Sequence, residues 1–84
     1  MKEEIYKEHH IEAGSMEYES GGWPAEATVY WEEQGHGRTC PLYHPPGKDA
    51  FHTQDEAETY AIGMAKQWID KGKPGWQGEE GKEG

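Results

Sequence analysis

Three side chains near the middle of the chain carry metal-binding chemistry at regular spacing: His36, Cys40 and His44, with three residues between each. Imidazole nitrogen and thiolate sulfur suit zinc, so this run is the first place to look for a metal or small-ligand site. The residues between them work against convergence. Gly37, Pro41, Pro45 and Pro46 favour extended chain, in which positions 36, 40 and 44 point the same way but span about 25 Å end to end. One ion cannot hold all three in that geometry. The competing reading takes Cys40 as a small buried hydrophobe and the histidines, His52 included, as exposed polar residues of a loop and an edge. His9 and His10 then fall on either side of a strand. No cofactor is expected.

Other chemistry has less behind it. Ser15 and Ser20 lie in a Gly-rich loop without a nearby base, no phosphate-cradling Gly motif is present, and the many Glu residues read as solvated surface. The residues predict a protein that is not an enzyme.

The elements that must position these residues are legible to different degrees. Ala57, Tyr60, Ala61, Met64, Ala65, Trp68 and Ile69 match the spacing of one helical face. Thr53 with Glu56 forms a capping box at the start, Asp55 and Glu56 complement the positive helix end, and Gly72 followed by Pro74 stops it. The helix is predicted over about 54–71. Upstream, Ala25, Ala27, Val29 and Trp31 alternate with Glu26, Thr28, Tyr30 and Glu32, the period of a half-buried antiparallel strand. Gly35-His36-Gly37 supplies a turn into a shorter strand over 38–43, with Cys40 and Leu42 on one face. Pro41 has no N–H for a ladder, which places that strand at an edge.

Residues 5–13 alternate less cleanly. A strand puts Ile5, His9 and Ile11 on one face and Tyr6, Glu8, His10 and Glu12 on the other; the rival helix leaves Ile11 off the face shared by Ile5 and His9. The strand is preferred, and Gly14 and Gly21-Gly22 punctuate the connection to the next one. The expected architecture is therefore α+β: a three-stranded antiparallel meander with one C-terminal helix packed on one face, in a single domain over 1–72. Phe51 should seal the start of the helix, Trp31 and Trp68 should be core, and Trp23 should cap one end of the sheet. Residues 73–84, rich in Gly, Glu and Lys, are expected to be disordered, with Trp76 the sticky residue among them.

That layout leaves one sheet face open. With the helix over Ala27, Val29 and Trp31, the residues Tyr6, Tyr30 and Tyr43 face outward beside Glu32, Glu26 and Glu8. Exposed aromatics rimmed by acids suit a basic peptide, a partner protein or a second copy of the chain, giving a homodimer. Tyrosines also simply favour strands. Aromatics on an open sheet stack single-stranded bases in some RNA-binding modules, but the acids here oppose phosphate.

Tyr6 with its strand, Gly22-Trp23 opening the next, Phe51-x-Thr53 with Glu56-Ala57, and Ala65-Lys66-x-Trp68-Ile69-Asp70 together resemble short, uncharacterised bacterial domains of strand-strand-strand-helix order. The resemblance covers about residues 5–71 and implies that fold and no activity. Cys40, Pro45-Pro46-Gly47 and the tail stand outside it.

Composition bounds the remaining choices. The 84 residues are 32% hydrophobic and 30% charged, so any core is small. Seventeen acids against eight bases give a net charge of −9, spread along the chain without a basic patch, which argues against gripping duplex nucleic acid. No apolar run approaches the roughly 20 residues of a membrane span. Residues 1–4 lack the basic lead of a signal peptide, and a lone Cys40 permits no internal disulfide. A soluble, unprocessed, cytoplasmic protein is expected. Its function reads as a non-catalytic protein-interaction module working through the open sheet face; the alternative is a metal- or small-ligand-binding protein using Cys40 and the nearby histidines.

Overall fold

The computed structural model describes residues 1–14, 16–19, 21–43 and 51–76. Its strands are β1 (Lys2–Tyr6), β2 (His9–Ala13), β3 (Glu26–Glu33) and β4 (His36–Tyr43), with a single helix α1 (Gln54–Asp70) after them. The strands form one antiparallel sheet in the order β1-β2-β3-β4, and α1 lies across one face of it. The class is α+β as the sequence predicts, but the sheet has four strands where three were expected.

The fourth strand comes from a turn that the residue types conceal. The chain reverses at Lys7 and Glu8, which adopt φ of 49° and 66°, and Tyr6 pairs with His9 across it. Two successive left-handed residues are what a tight two-residue hairpin turn requires, and Gly, Asn or Asp usually supply them. Here a Lys and a Glu do so, and the His9 Nδ1–H donates to the Lys7 carbonyl at 2.8 Å to hold the turn. The β3–β4 hairpin uses the same geometry with a more ordinary pair, Gln34 (φ 53°) and Gly35 (φ 80°). Glu33 therefore pairs with His36, and β4 begins two residues earlier than the Gly35-His36-Gly37 turn implied. β4 is an edge strand, as Pro41 demands.

Helix α1 begins where its cap predicts: the Glu56 amide donates to Thr53 Oγ1 at 3.1 Å. It ends in Lys71 and Gly72, the latter at φ 89°. Its buried face, Ala57, Glu58, Ala61, Ile62, Ala65 and Ile69, is rotated from the expected stripe towards Glu58 and Ile62. The cause is β1, which lies under that flank. Lys2 pairs with Asp55 at 2.7 Å, Lys66 with Glu4 at 2.5 Å and Lys7 with Asp70 at 2.6 Å, so three ion pairs tie the helix to β1 and the turn that follows it.

The core between sheet and helix is built largely from small side chains. Ala13, Ala25 and Ala27 from the sheet side and Ala61 and Ala65 from the helix pack with Ile11, Val29, Ile62 and Ile69. Aromatic rings close the two ends. At one, Trp31 meets Trp68 and Trp76 edge-on, with ring centroids 6.0 and 5.1 Å apart. At the other, Phe51 bridges to Trp23 through paired backbone hydrogen bonds and packs on Tyr60 at 5.1 Å. Trp76 reaches Trp31 because residues 73–76 fold back over the helix end, where Trp68 Nε1–H donates to the Pro74 carbonyl at 2.9 Å. The rest of the segment expected to be disordered, residues 77–84, lies outside the described residues. Among the described residues no helix is long and apolar enough to cross a membrane.

Candidate functional site

Cross-strand register sorts every strand residue onto one of two faces. Ile11, Ala27, Val29 and Trp31 face the helix, so their neighbours in sequence face away. The open face carries Glu3 and Ile5 from β1, His10 and Glu12 from β2, Glu26, Thr28, Tyr30 and Glu32 from β3, and Thr39, Pro41 and Tyr43 from β4. Four carboxylates stand on this face, and among the described residues no Lys or Arg does. The two strand bases, Lys2 and Arg38, are both on the helix side.

Of the residues expected on the open face, Tyr30, Tyr43 and Glu32 are there. Tyr43 is 66% exposed and Tyr30 39%. Tyr6 is not, and its placement is corrected. The turn at Lys7 and Glu8 puts Tyr6 opposite His9, which reverses the face of every residue before it. Ile5, expected inside, is outside and 67% exposed. Tyr6 instead lies against the helix end: its hydroxyl donates to Asp70 Oδ2 at 2.9 Å, and the ammonium groups of Lys66 and Lys7 sit 5.3 and 5.4 Å from its ring centre. Glu8, also expected outward on a strand, is a turn residue.

The Tyr6–Lys7–Asp70 contact carries a pH signature. The Lys7 ammonium, and after it the Tyr6 hydroxyl, holds the Asp70 carboxyl below its ordinary range. The same contact, led by the hydrogen bond to Asp70, raises Lys7. A carboxyl depressed on folding stabilises the fold above its unfolded pKa of about 3.9, and that contribution disappears as pH falls through the lower folded value. Wild type is therefore expected to exceed Asp70→Asn in urea midpoint at pH 6, with the difference smaller at about pH 2, where the carboxyl is taking up its proton. Parallel urea titrations at the two pH values check it; a constant difference would remove the linkage. The contact is solvent-exposed, so the effect is small.

On the open face, the Tyr30 hydroxyl donates to Glu12 Oε1 at 3.2 Å, and desolvation, then the Glu12 contact, raises its pKa. The phenol thus remains a donor. The His10 ring lies beside the Tyr30 ring, centroids 5.9 Å apart. At the end of the sheet a groove of about 580 Å³ is lined by Met16, Tyr18, Pro41 and Tyr43 with Glu12 and Glu26, and also by Ala27, Gln54 and Met1, whose N-terminal ammonium lies 3.5 Å from Glu58 Oε2. No Lys or Arg lines it among the described residues. The sequence hid this groove because Met16 and Tyr18 belong to an irregular connection without a periodic pattern.

The sequence-predicted metal candidates do not converge among the described residues. His36 and Cys40 share a face of β4 but are four residues apart, about 13 Å along a strand. His44 lies outside the described residues. Cys40 is half-buried, and burial pushes its thiol pKa up, which disfavours the thiolate that a metal needs. The group that does converge is one the sequence pattern concealed: Glu3, His10 and Glu12, whose ligand atoms all lie within 4.8 Å of one another. Its signal becomes readable only with the β1–β2 register, which sets Glu3 directly opposite Glu12.

No family model matches the chain, and neither a curated protein nor a solved structure is detectably similar to it.

Proposed function

We propose that the protein is a non-catalytic interaction module whose open sheet face receives a Lys- or Arg-bearing segment of a partner protein. The observation that carries this reading is the charge asymmetry of the sheet: Glu3, Glu12, Glu26 and Glu32 on the open face, with no Lys or Arg among the described residues there, around Ile5, Tyr30 and Tyr43. A half-apolar, acid-rimmed surface attracts a cationic segment over distance and buries its aliphatic stems against the rings. The Met16, Tyr18 and Tyr43 groove, with Glu12 and Glu26 in its lining, adds an apolar surface with carboxylates beside it to the same face. A face-to-face second copy fits less well, because each copy carries a net charge of −9 and would bring four carboxylates against four.

The test is an NMR titration of isotope-labelled protein with a pool of Lys/Arg-rich decapeptides, against an Asp/Glu-rich pool. Amide shifts centred on Thr28, Tyr30 and Tyr43, weakening as salt rises from about 50 to about 300 mM, are expected with the basic pool alone. Tyr30→Lys should weaken the binding at least about tenfold, as loss of an aromatic anchor with charge reversal does. Equal response to both pools, or shifts centred on the helix, would overturn the reading. A native mass spectrum showing a dimer that Tyr30→Lys dissociates would reassign the face to a second copy.

A further inference from the structure

Glu3 and Glu12 are directly opposite residues on adjacent antiparallel strands. Such pairs bring their side chains within contact distance, and two like charges there destabilise the sheet unless a cation lies between them. Among the described residues no Lys or Arg does so on this face. His10, next to Glu12 on the same face of β2, directs Nε2 at both carboxylates: 3.4 Å from Glu3 Oε1 and 4.0 Å from Glu12 Oε2. The second Glu12 oxygen is held by the Tyr30 hydroxyl at 3.2 Å, and the Tyr30 ring packs beside the imidazole. One nitrogen and two carboxylate oxygens thus gather within 4.8 Å of one another on paired strands, with Glu12 and His10 each in contact with Tyr30.

We propose that Glu3, His10 and Glu12 form a binding site for a divalent transition-metal ion of the zinc type. The donor set is right for it: imidazole and carboxylate without thiolate favour Zn²⁺ or Mn²⁺ over soft ions. The geometry is also near to what an ion needs. Donors around zinc at about 2.0–2.2 Å stand about 3.3–3.5 Å apart, and the present groups, within 4.8 Å of one another, reach that spacing by side-chain rotation. All three are partly solvent-exposed, so the remaining coordination positions stay with water. The Tyr30–Glu12 hydrogen bond is an outer contact of the kind that orients a ligating carboxylate. Two of the four open-face carboxylates would be neutralised by the ion, so metal binding and cationic-partner binding oppose each other on this face. The site itself does not depend on the interaction reading, because it is tested without any partner.

The experiment is a titration of Zn²⁺ into untagged protein at about pH 7.5, read by calorimetry for stoichiometry and by ¹H–¹⁵N spectra of the histidine rings. One equivalent is expected, with the His10 ring signals moving first. His10→Ala and Glu3→Gln/Glu12→Gln should each weaken binding by at least about tenfold, and Cys40→Ser should leave it unchanged. Reading the His10 ring in the wild type keeps the test valid even where a variant folds poorly. Absence of stoichiometric binding, or a first equivalent that shifts ring signals other than those of His10, would overturn the proposal. Affinity retained in folded His10→Ala, or lost in Cys40→Ser, would do the same.

Discussion

Trp31→Ala is expected to destabilise the protein by about 3–5 kcal/mol, the usual cost of truncating a large buried aromatic. An 84-residue domain has about 4–12 kcal/mol in total at ordinary stability per residue, so this single change approaches unfolding. Trp31 is where three parts of the chain meet. Its ring lies 5.5 Å from His9 of β2, 6.0 Å from Trp68 of the helix and 5.1 Å from Trp76 beyond it, and the Lys73 ammonium sits 4.3 Å from its centre. Alanine cannot replace any of these contacts, and the alanine-rich core around it has few long side chains to fill the space. Trp31→Phe keeps a ring and should recover more than half of the loss. Urea denaturation monitored by far-ultraviolet circular dichroism measures both variants, since fluorescence would be confounded by the remaining tryptophans. A loss below about 1 kcal/mol would show that the residues 73–76 and helix contacts form without Trp31 as their centre.

The parts of the fold that can be read in the sequence are those with a strong period or a distinctive cap. The helix from Gln54 to Asp70, its Thr53 cap, its stop at Gly72 and the two faces of β3 come from side-chain spacing alone. Pro41 likewise places β4 at an edge. The first hairpin is not legible, because its turn relies on Lys7 and Glu8 in a conformation that residues of those types rarely adopt. One unseen two-residue turn then produces several linked errors. It merges two strands into one, exchanges the faces of Ile5 and Tyr6, and hides the strand that buries Glu58 and Ile62 on the helix. The poor alternation of residues 5–13 is the trace it leaves: Ile5 and Ile11 share a face in a single strand but not across a two-residue turn.

The candidate site divides in the same way. Tyr30, Tyr43 and Glu32 lie on strands whose period is clear, and their open-face position is legible. The Glu3–His10–Glu12 convergence depends on β1–β2 register, which no local pattern specifies. His36 and Cys40 show the reverse case, in which even spacing in sequence becomes even separation along a strand and brings nothing together.

Two substitutions two residues apart in α1 are expected to move stability in opposite directions. Ala61 is fully buried within the alanine-rich layer between helix and sheet, and Ala61→Leu must force three further carbons into it. Overpacking of that kind costs about 1–3 kcal/mol. Gly63 is on the solvent side of the same helix, and a Cβ built there meets nothing within 4 Å. Gly63→Ala should therefore gain about 0.5–1 kcal/mol by removing the backbone-entropy penalty of glycine inside a helix. The contrast tests how closely the helix rides on the sheet. Alanines on both sides allow the backbones to approach, and a close approach leaves no slack for a leucine; a neutral or stabilising Ala61→Leu in urea titration would mean that the layer holds unfilled space. Both positions lie on the helix, across the sheet from Tyr30 and Thr28. Amide shifts of the open face should be unmoved by Gly63→Ala, so that variant supplies a stabilised background in which open-face substitutions can be measured without loss of the fold.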